Sequence, residues 1–254
     1  MKKMLPWAMA LASLGLVPAA FAAVGAAAAP GAEIAGHWLS VDYMNAFATS
    51  RSPLAASNAV SLVAILVEPS RETKGYQFSV TSFHEGLNYL IKGFELKDNH
   101  ITIKADSFDD GDESLQTLKL EQSQAPDGTR LLTGTLWGED KVTYRRLPDT
   151  VAVYVNGMTV AGTYVDAQGR PHVFEPSGES TWAGKKRQYE VVVDTYEAAC
   201  DQFSHFDPAK PEDTTFSGWK KLPDGKLEIY ELVEAEETMF KCAEKPFLVL
   251  TLKN

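Results

Sequence analysis

Apolar and polar residues alternate along most of the chain between Trp38 and Leu147. Tyr76, Phe78 and Val80 alternate with Gln77, Ser79 and Thr81, Ile101 and Ile103 with Thr102 and Lys104, and Leu118 and Leu120 with Lys119 and Glu121. A period of two sets one row of side chains on a core and the other in water, which predicts half-buried β-strands. Residues 59–67 break this pattern, being apolar except for Ser61. Their length favours a strand covered on both faces over a short buried helix after Pro53. Residues 45–57 and 196–203 are ambiguous and could be helical.

Turn residues punctuate the same half. Glu68-Pro69-Ser70, Lys97-Asp98-Asn99, Asp109-Asp110-Gly111-Asp112, Ala125-Pro126-Asp127-Gly128 and Trp137-Gly138-Glu139-Asp140 carry residues that fix φ or tolerate positive φ. Strands joined by turns this short pair antiparallel, since a parallel connection needs a dozen or more residues. The result is a meander, and closing it into a barrel removes its exposed edges.

Leu147-Pro148-Asp149 reads as a boundary, after which the pattern starts again. Val151, Val153 and Val155 alternate and predict a strand, and Asn156-Gly157 predicts a hairpin turn. Further strands are expected at 173–174, 189–193, 227–232 and 247–252, with turns at 166–169, 176–178 and 223–225. Residues 204–215, with Pro208 and Pro211 among charged residues, read as a long loop. Gly36-His37-Trp38 and Gly162-Thr163-Tyr164 share the form Gly-x-aromatic and each opens a series of short strands, a hint of internal duplication.

The N-terminus changes the picture of where the chain works. Lys2 and Lys3 precede an apolar run from Met4 to Val17, and small residues stand at Ala20 and Ala22. These are the parts of a secretory signal peptide, with cleavage expected after Ala22, so residues 1–22 are assigned to it. Ser13, Gly15 and Pro18 interrupt the run, which falls short of the roughly 20 apolar residues that span a bilayer. Residues 23–33 read as a flexible leader, 34–148 as a first domain and 149–254 as a second. The expected location is periplasmic or extracellular, with no transmembrane segment in the mature chain.

The chain holds 24 basic and 34 acidic residues, net −10, and loss of Lys2 and Lys3 takes the mature balance to 22 against 34, or −12. Such a charge argues against nucleic acid as partner, since counterion replacement needs clustered Lys and Arg. Cys200 and Cys242 are the only cysteines. In an oxidising compartment the pair reads as a disulfide that stabilises by about 4 kcal/mol on the chain-entropy model. Two buried free thiols, or a thiol site with His205, are the alternatives.

Gly36-His37-Trp38, a meander of about eight short strands, and Tyr144-Arg145-Arg146 closing the last one resemble a lipocalin or another calycin barrel. The resemblance implies a first-strand tryptophan, Trp38, covered at the closed end of the barrel by an arginine of the last strand, Arg145 or Arg146. A guanidinium over an indole contributes about 0.5–2 kcal/mol. The second half resembles the family only in its general pattern, and no arginine closes it. The fold class expected is therefore all-β, mainly antiparallel, with two tandem lipocalin-like β-barrel or β-sandwich domains.

Candidate chemistry is sparse. His37 alternates with Trp38 and reads as a surface or edge histidine, His84 beside Glu85 sits where a strand turns, and His100 and His172 read as solvated residues next to turns. Asp201, His205 and Asp207 near Cys200 are the densest set of metal-ligand types, weighed against a solvated loop tied by the disulfide. The run Asp109–Glu113 reads as a polar hairpin turn, lacking the ligand order of a calcium loop. Gly-x-Ser-x-Gly, His-Glu-x-x-His and Cys-x-x-Cys do not occur. No catalytic residue, metal or cofactor is assigned, and binding is favoured over catalysis. The expected function is an exported soluble protein holding a small apolar or amphipathic ligand in the first barrel, lined by Tyr76, Phe78 and Tyr89. The alternative is an envelope or secreted protein that binds a protein or glycan through barrels with solid cores.

Overall fold

The computed structural model describes residues 29–70, 75–82, 86–107, 115–136, 140–182, 184–193, 199–236 and 239–253. The expected signal peptide, His84 and the acidic run Asp109–Glu113 lie outside these residues. Two closed, antiparallel, eight-stranded barrels follow one another along the chain. The first is built from β1 (Gly36–Ser40), β2 (Leu62–Pro69), β3 (Tyr76–Ser82), β4 (Gly86–Lys97), β5 (His100–Ser107), β6 (Gln116–Gln124), β7 (Arg130–Thr135) and β8 (Lys141–Arg146), each beside the next, with β8 closing on β1. Two helices, α1 (Val41–Ser50) and α2 (Pro53–Ser57), fill the β1–β2 connection. Both start on serine side chains: Ser40 Oγ accepts the Tyr43 N–H and Ser52 Oγ accepts the Ala55 N–H.

Residues 59–67 contain β2, and both of its faces are covered. Ile65 and Val67 join the core of the first barrel, whereas Val63, Ala64 and Leu66 pack outside it with Tyr43, Phe47 and Ala56 of the helices. A two-sided burial leaves no place for polar alternation, which explains the continuous apolar run.

The 3₁₀ turn Ala32–Ile34 lies against the end of the barrel where β1 begins. It takes in Ala32 and Glu33, the last residues of the expected leader; Gly31 of that leader packs near Tyr76 and Ile91, and the adjoining Ile34 is fully buried. Apolar contacts thus order a stretch whose composition alone suggested flexibility.

The second barrel comprises β9 (Gly162–Val165), β10 (Pro171–Phe174), β11 (Glu179–Trp182), β12 (Lys185–Val191), β13 (Gln202–Asp207), β14 (Lys210–Lys221), β15 (Leu227–Tyr230) and, after a hairpin of β16 (Leu232–Glu236) and β17 (Met239–Cys242), β18 (Leu248–Leu252), which returns to β9. Helix α3 (Val151–Met158) precedes it.

Two expectations are overturned here. The alternating valines at 151–155 belong to α3, not to a strand, and Asn156-Gly157 lies in its last turn instead of a hairpin. Thr150 Oγ1 accepts the Val153 N–H as an N-cap, and burial of Val155 and Asn156 against the second barrel outweighs the β-preference of valine. Residues 204–215 are not a loop either, because β13 and β14 run through them. Pro208 falls in the turn between these strands, and Pro211 lies where the register shifts between the pairs His205–Thr215 and Asp207–Lys210, so neither ring interrupts a regular ladder.

One apolar cluster fills the first barrel. A second runs from Leu39, Val63 and Leu147 on the outside of that barrel, through Tyr43 and Phe47, to Val155 and the interior of the second barrel at Tyr164, Phe174 and Phe203. Leu54 N–H donates to Asp201 Oδ1 at 2.9 Å and Arg51 Nη1 to Met158 O at 3.4 Å across this junction. The helices of the first domain are therefore also a cap on the second.

Candidate binding cleft in the second barrel

The closed end of the first barrel shows where the sequence-assigned residues lie. Trp38 is fully buried and its indole Nε1–H donates to Ile34 O at 2.9 Å. Arg146 lies opposite Trp38 in the β1–β8 ladder; its guanidinium is 6.0 Å from the ring centroid and donates to Ala35 O at 2.9 Å. Arg145, one residue earlier and so on the other face, pairs with Asp127 and with Thr129 Oγ1. Arg130, which the sequence did not single out, is nearer the indole at 5.7 Å and donates to Gln122 Oε1 at 2.7 Å. Phe78 and Tyr89 face one another across β3 and β4 and are buried in the first core, with Tyr76 packed against that core near Gly31.

The second barrel has a different interior. The β9–β10 turn wraps the carboxylate of Asp166, whose side chain is 1% exposed. It accepts the N–H groups of Gln168 (3.0 Å) and Arg170 (2.9 Å), Arg170 Nε (2.7 Å) and His172 Nε2 (3.2 Å). Burial, the largest single influence, pushes its pKa up, but the donors from Arg170, His172 and Gln168 together outweigh it and hold the carboxyl well below the usual range. An ionised carboxylate only accepts, so His172 donates from Nε2. His172 is buried, not solvated as expected from its place near a turn. The cause is its inward register opposite Tyr164 in the β9–β10 ladder.

From His172 a series of rings crosses the barrel. Trp182 meets His172 edge-on at 6.4 Å between centroids and lies beside His205 at 5.0 Å. His205 Nε2 is 3.2 Å from Ser217 Oγ. The ladder pairs Tyr189 with His205, and Phe203 with Ser217, which carries these side chains to the same end of the barrel. Burial, then the nearby Arg187 charge, pulls the His205 pKa below its ordinary value and keeps the ring neutral at neutral pH. Beneath lie Phe174, Tyr189 and Phe203 in edge-to-face contact, Phe174 and Tyr189 at 5.3 Å.

A cleft of about 530 Å³ opens above this group. Trp182, His205, Thr215 and Ser217 contribute from the barrel, and Glu231, Leu232 and Phe247 also line it. Phe216 and Phe247 are 51% and 53% exposed at its edge. The outer wall is held by the disulfide Cys200–Cys242, which joins β17 to the segment ahead of β13. Gly218 of β14 lies directly beneath the two sulfurs, and a Cβ there would collide with them.

The structure separates Asp201, His205 and Asp207, the three metal-ligand types close in sequence. Asp201 accepts from Leu54, His205 faces the cleft, and Asp207 Oδ1 accepts the Ala209 N–H in the β13–β14 turn. Among the described residues no group of three or more His, Cys, Asp or Glu could hold a metal ion. His37 Nε2 meets Glu68 Oε1 at 3.2 Å on the outside of the first barrel, and exposed His100 contacts Asp98 O. Trp182, Ser217, Phe216 and Phe247 went unassigned in the sequence. Phe247 opens the strand expected at 247–252, whereas 179–182 and 214–217 carry one aromatic each among polar residues and show no alternation that could have signalled a site.

The fold and this cleft define a tandem eight-stranded β-barrel protein with a disulfide-braced mouth on its second barrel. No family model, curated protein or solved structure matches the chain. No helix among the described residues is long and apolar enough to cross a membrane.

Proposed function

We propose that the chain is an exported, calycin-like binding protein that holds a small amphipathic ligand at the mouth of its second barrel. The observation that carries this reading is the cleft in which Trp182, Phe216 and Phe247 offer apolar area beside the His205–Ser217 hydrogen-bonded pair. Few, fixed polar groups in a largely apolar recess are what orient a small ligand. The first barrel supports the assignment less well, since Phe78 and Tyr89 are buried in its apolar core. His205 and Ser217 serve here as a polar anchor. A nucleophile–base pair needs a third group orienting the base, and although Glu231 lines the same cleft, no hydrogen bond or ion pair joins it to His205 among the described residues. The Cys200–Cys242 disulfide supports export, because such bonds persist in oxidising compartments.

The test is a fluorescence titration of the full mature chain with 1-anilinonaphthalene-8-sulfonate, an amphipathic probe. Trp182→Ala should weaken binding at least tenfold, while Tyr76→Ala leaves it within twofold. Binding lost on Tyr76→Ala and kept on Trp182→Ala returns the ligand to the first barrel. A second reading, a protein or glycan partner docking on barrels with solid cores, is favoured by the exposure of Phe216 and Phe247. It predicts no small-probe binding at either mouth.

A further inference from the structure

A second cleft, of about 720 Å³, lies where the first barrel meets α3. Arg130, Arg145 and Arg146 contribute to its lining. The β7–β8 ladder pairs Leu131 with Arg145, so the first residue of β7 and the last two of β8 come together at one corner. On a chain of net charge −10, three guanidiniums around one recess is a concentration of charge opposite to the whole.

The cations are not neutralised in place. Arg145 pairs with Asp127, but Arg130 and Arg146 bond only neutral oxygens, Gln122 Oε1 and Ala35 O. Three positive charges thus share one carboxylate, leaving +2 among the described residues. Burial, and then the charge of Arg146, pulls the Arg130 pKa below its ordinary value, a sign that the two are not relieved by an anion. Packing over Trp38 accounts for the position of Arg130 and Arg146 but gives neither an anion, and Arg145 alone of the three has a carboxylate partner among the described residues. Each guanidinium carries five N–H donors, and most of those on Arg130 and Arg146 have no acceptor among the described residues. The opposite wall is apolar: Met44 of α1, Leu147 and Pro148 after β8, and the Tyr154 ring of α3.

We propose that this cleft binds a phosphomonoester, its dianionic phosphate held by Arg130, Arg145 and Arg146 and its organic part resting on Met44, Leu147, Pro148 and Tyr154. A dianion matches the +2 excess, and planar guanidinium forks fit phosphate oxygens two at a time. The volume lies within the range of small-molecule sites, about 300–1,000 Å³.

Isothermal titration calorimetry of the full mature chain at low salt tests this with four probes: phenyl phosphate, inorganic phosphate, benzoate and phenol. Phenyl phosphate should bind at least tenfold more tightly than inorganic phosphate or benzoate, and phenol should not bind. Arg145→Gln, on the outer face of β8 and away from Trp38, should weaken phenyl phosphate at least tenfold without shifting Tm by more than a few degrees. Tyr154→Leu should weaken phenyl phosphate while leaving inorganic phosphate unchanged. Benzoate binding as tightly as phenyl phosphate overturns the phosphate assignment, and equal affinity for inorganic phosphate overturns the role of the apolar wall. Absence of phenyl phosphate binding at millimolar concentration, or binding untouched by Arg145→Gln, overturns the site itself. The two clefts share no lining residue, so loss on Arg145→Gln reads this cleft and loss on Trp182→Ala the other, and failure here leaves the second-barrel cleft standing on its own test.

Discussion

The two barrels meet the same requirement at their closed ends with different chemistry. Each opens on a glycine with positive φ, Gly36 at 130° and Gly162 at 152°, and each follows it two residues later with a fully buried aromatic. Side-chain-bearing residues rarely adopt this conformation, and a Cβ would press on Arg146 in one case and on the Tyr164 ring in the other. In the first barrel the aromatic is Trp38, bracketed by Arg130 and Arg146 and bonded to the 3₁₀ turn. In the second it is Tyr164, with no cation over its ring among the described residues, and the end is sealed by Asn156 of α3. That amide donates to Pro176 O and accepts the Val191 N–H, satisfying two backbone groups of the barrel rim.

The interiors differ in the same sense. The first core is apolar apart from tyrosine hydroxyls, whereas the second takes in Asp166, His172, Ser180 and Ser217. Buried polar groups cost free energy unless bonded, so a barrel that carries several of them, Ser217 at the cleft among them, is under a demand other than stability. The contrast teaches where to look for binding: topology is shared, and the deviation from an apolar core marks the site.

The largest expected effect breaks the first end. Trp38→Ala empties a fully buried indole site and leaves Arg130 and Arg146 without their ring, and should cost about 3–5 kcal/mol. Chemical denaturation followed by circular dichroism measures this, and a loss under 1 kcal/mol would show that the indole is not the keystone of that end.

Next in size is removal of the disulfide, which belongs to the second barrel alone. Cys200→Ser with Cys242→Ser should lower stability by about 4 kcal/mol for a separation of 42 residues. The apolar cluster shared through α1, α2 and the second barrel predicts one cooperative transition that moves as a whole. Two separated transitions in calorimetry, with one unmoved by the mutation, would mean that the barrels unfold independently.

The smallest effect sharpens the contrast at the closed ends. Tyr164 Oη is buried with no hydrogen-bond partner among the described residues, and burial pushes its pKa up to about 12. A raised folded pKa stabilises fully below the unfolded value near 10 and is lost as pH rises toward 12. Tyr164→Phe should therefore be neutral or stabilising by up to about 1 kcal/mol at pH 7. It should also flatten the fall in stability between pH 10 and 12, without abolishing it, because Tyr43, Tyr144 and Tyr189 are raised further by burial. Denaturation midpoints at pH 7, 10 and 11 read both effects.

Much of this architecture was legible in the residues. Alternation and turn chemistry are local properties, so most strands of the first half and their antiparallel pairing followed from them, and the pairing of Cys200 with Cys242 followed from their being the only two cysteines. The two-sided burial of β2 could be read from its unbroken apolar run. Pattern misled where packing competed with propensity: the valines of α3 alternate over too few residues to distinguish a strand from a capped helix, and Pro211 concealed β14.

By itself, then, the sequence determined two antiparallel β-domains, the Gly-x-aromatic start of each and a single pair of cysteines able to brace the second, while closure into barrels rather than sandwiches was decided by the fold. Only the tertiary structure decided that Arg146, with Arg130 beside it, covers Trp38 while Arg145 turns outward, since neighbours in a strand point to opposite faces and only register says which faces in. It alone gathered Trp182, His205 and Ser217, and separately Arg130, Arg145 and Tyr154, from distant parts of the chain. A recess is made by closure and by the docking of helices between barrels, and neither leaves a periodic mark in the residues that line it.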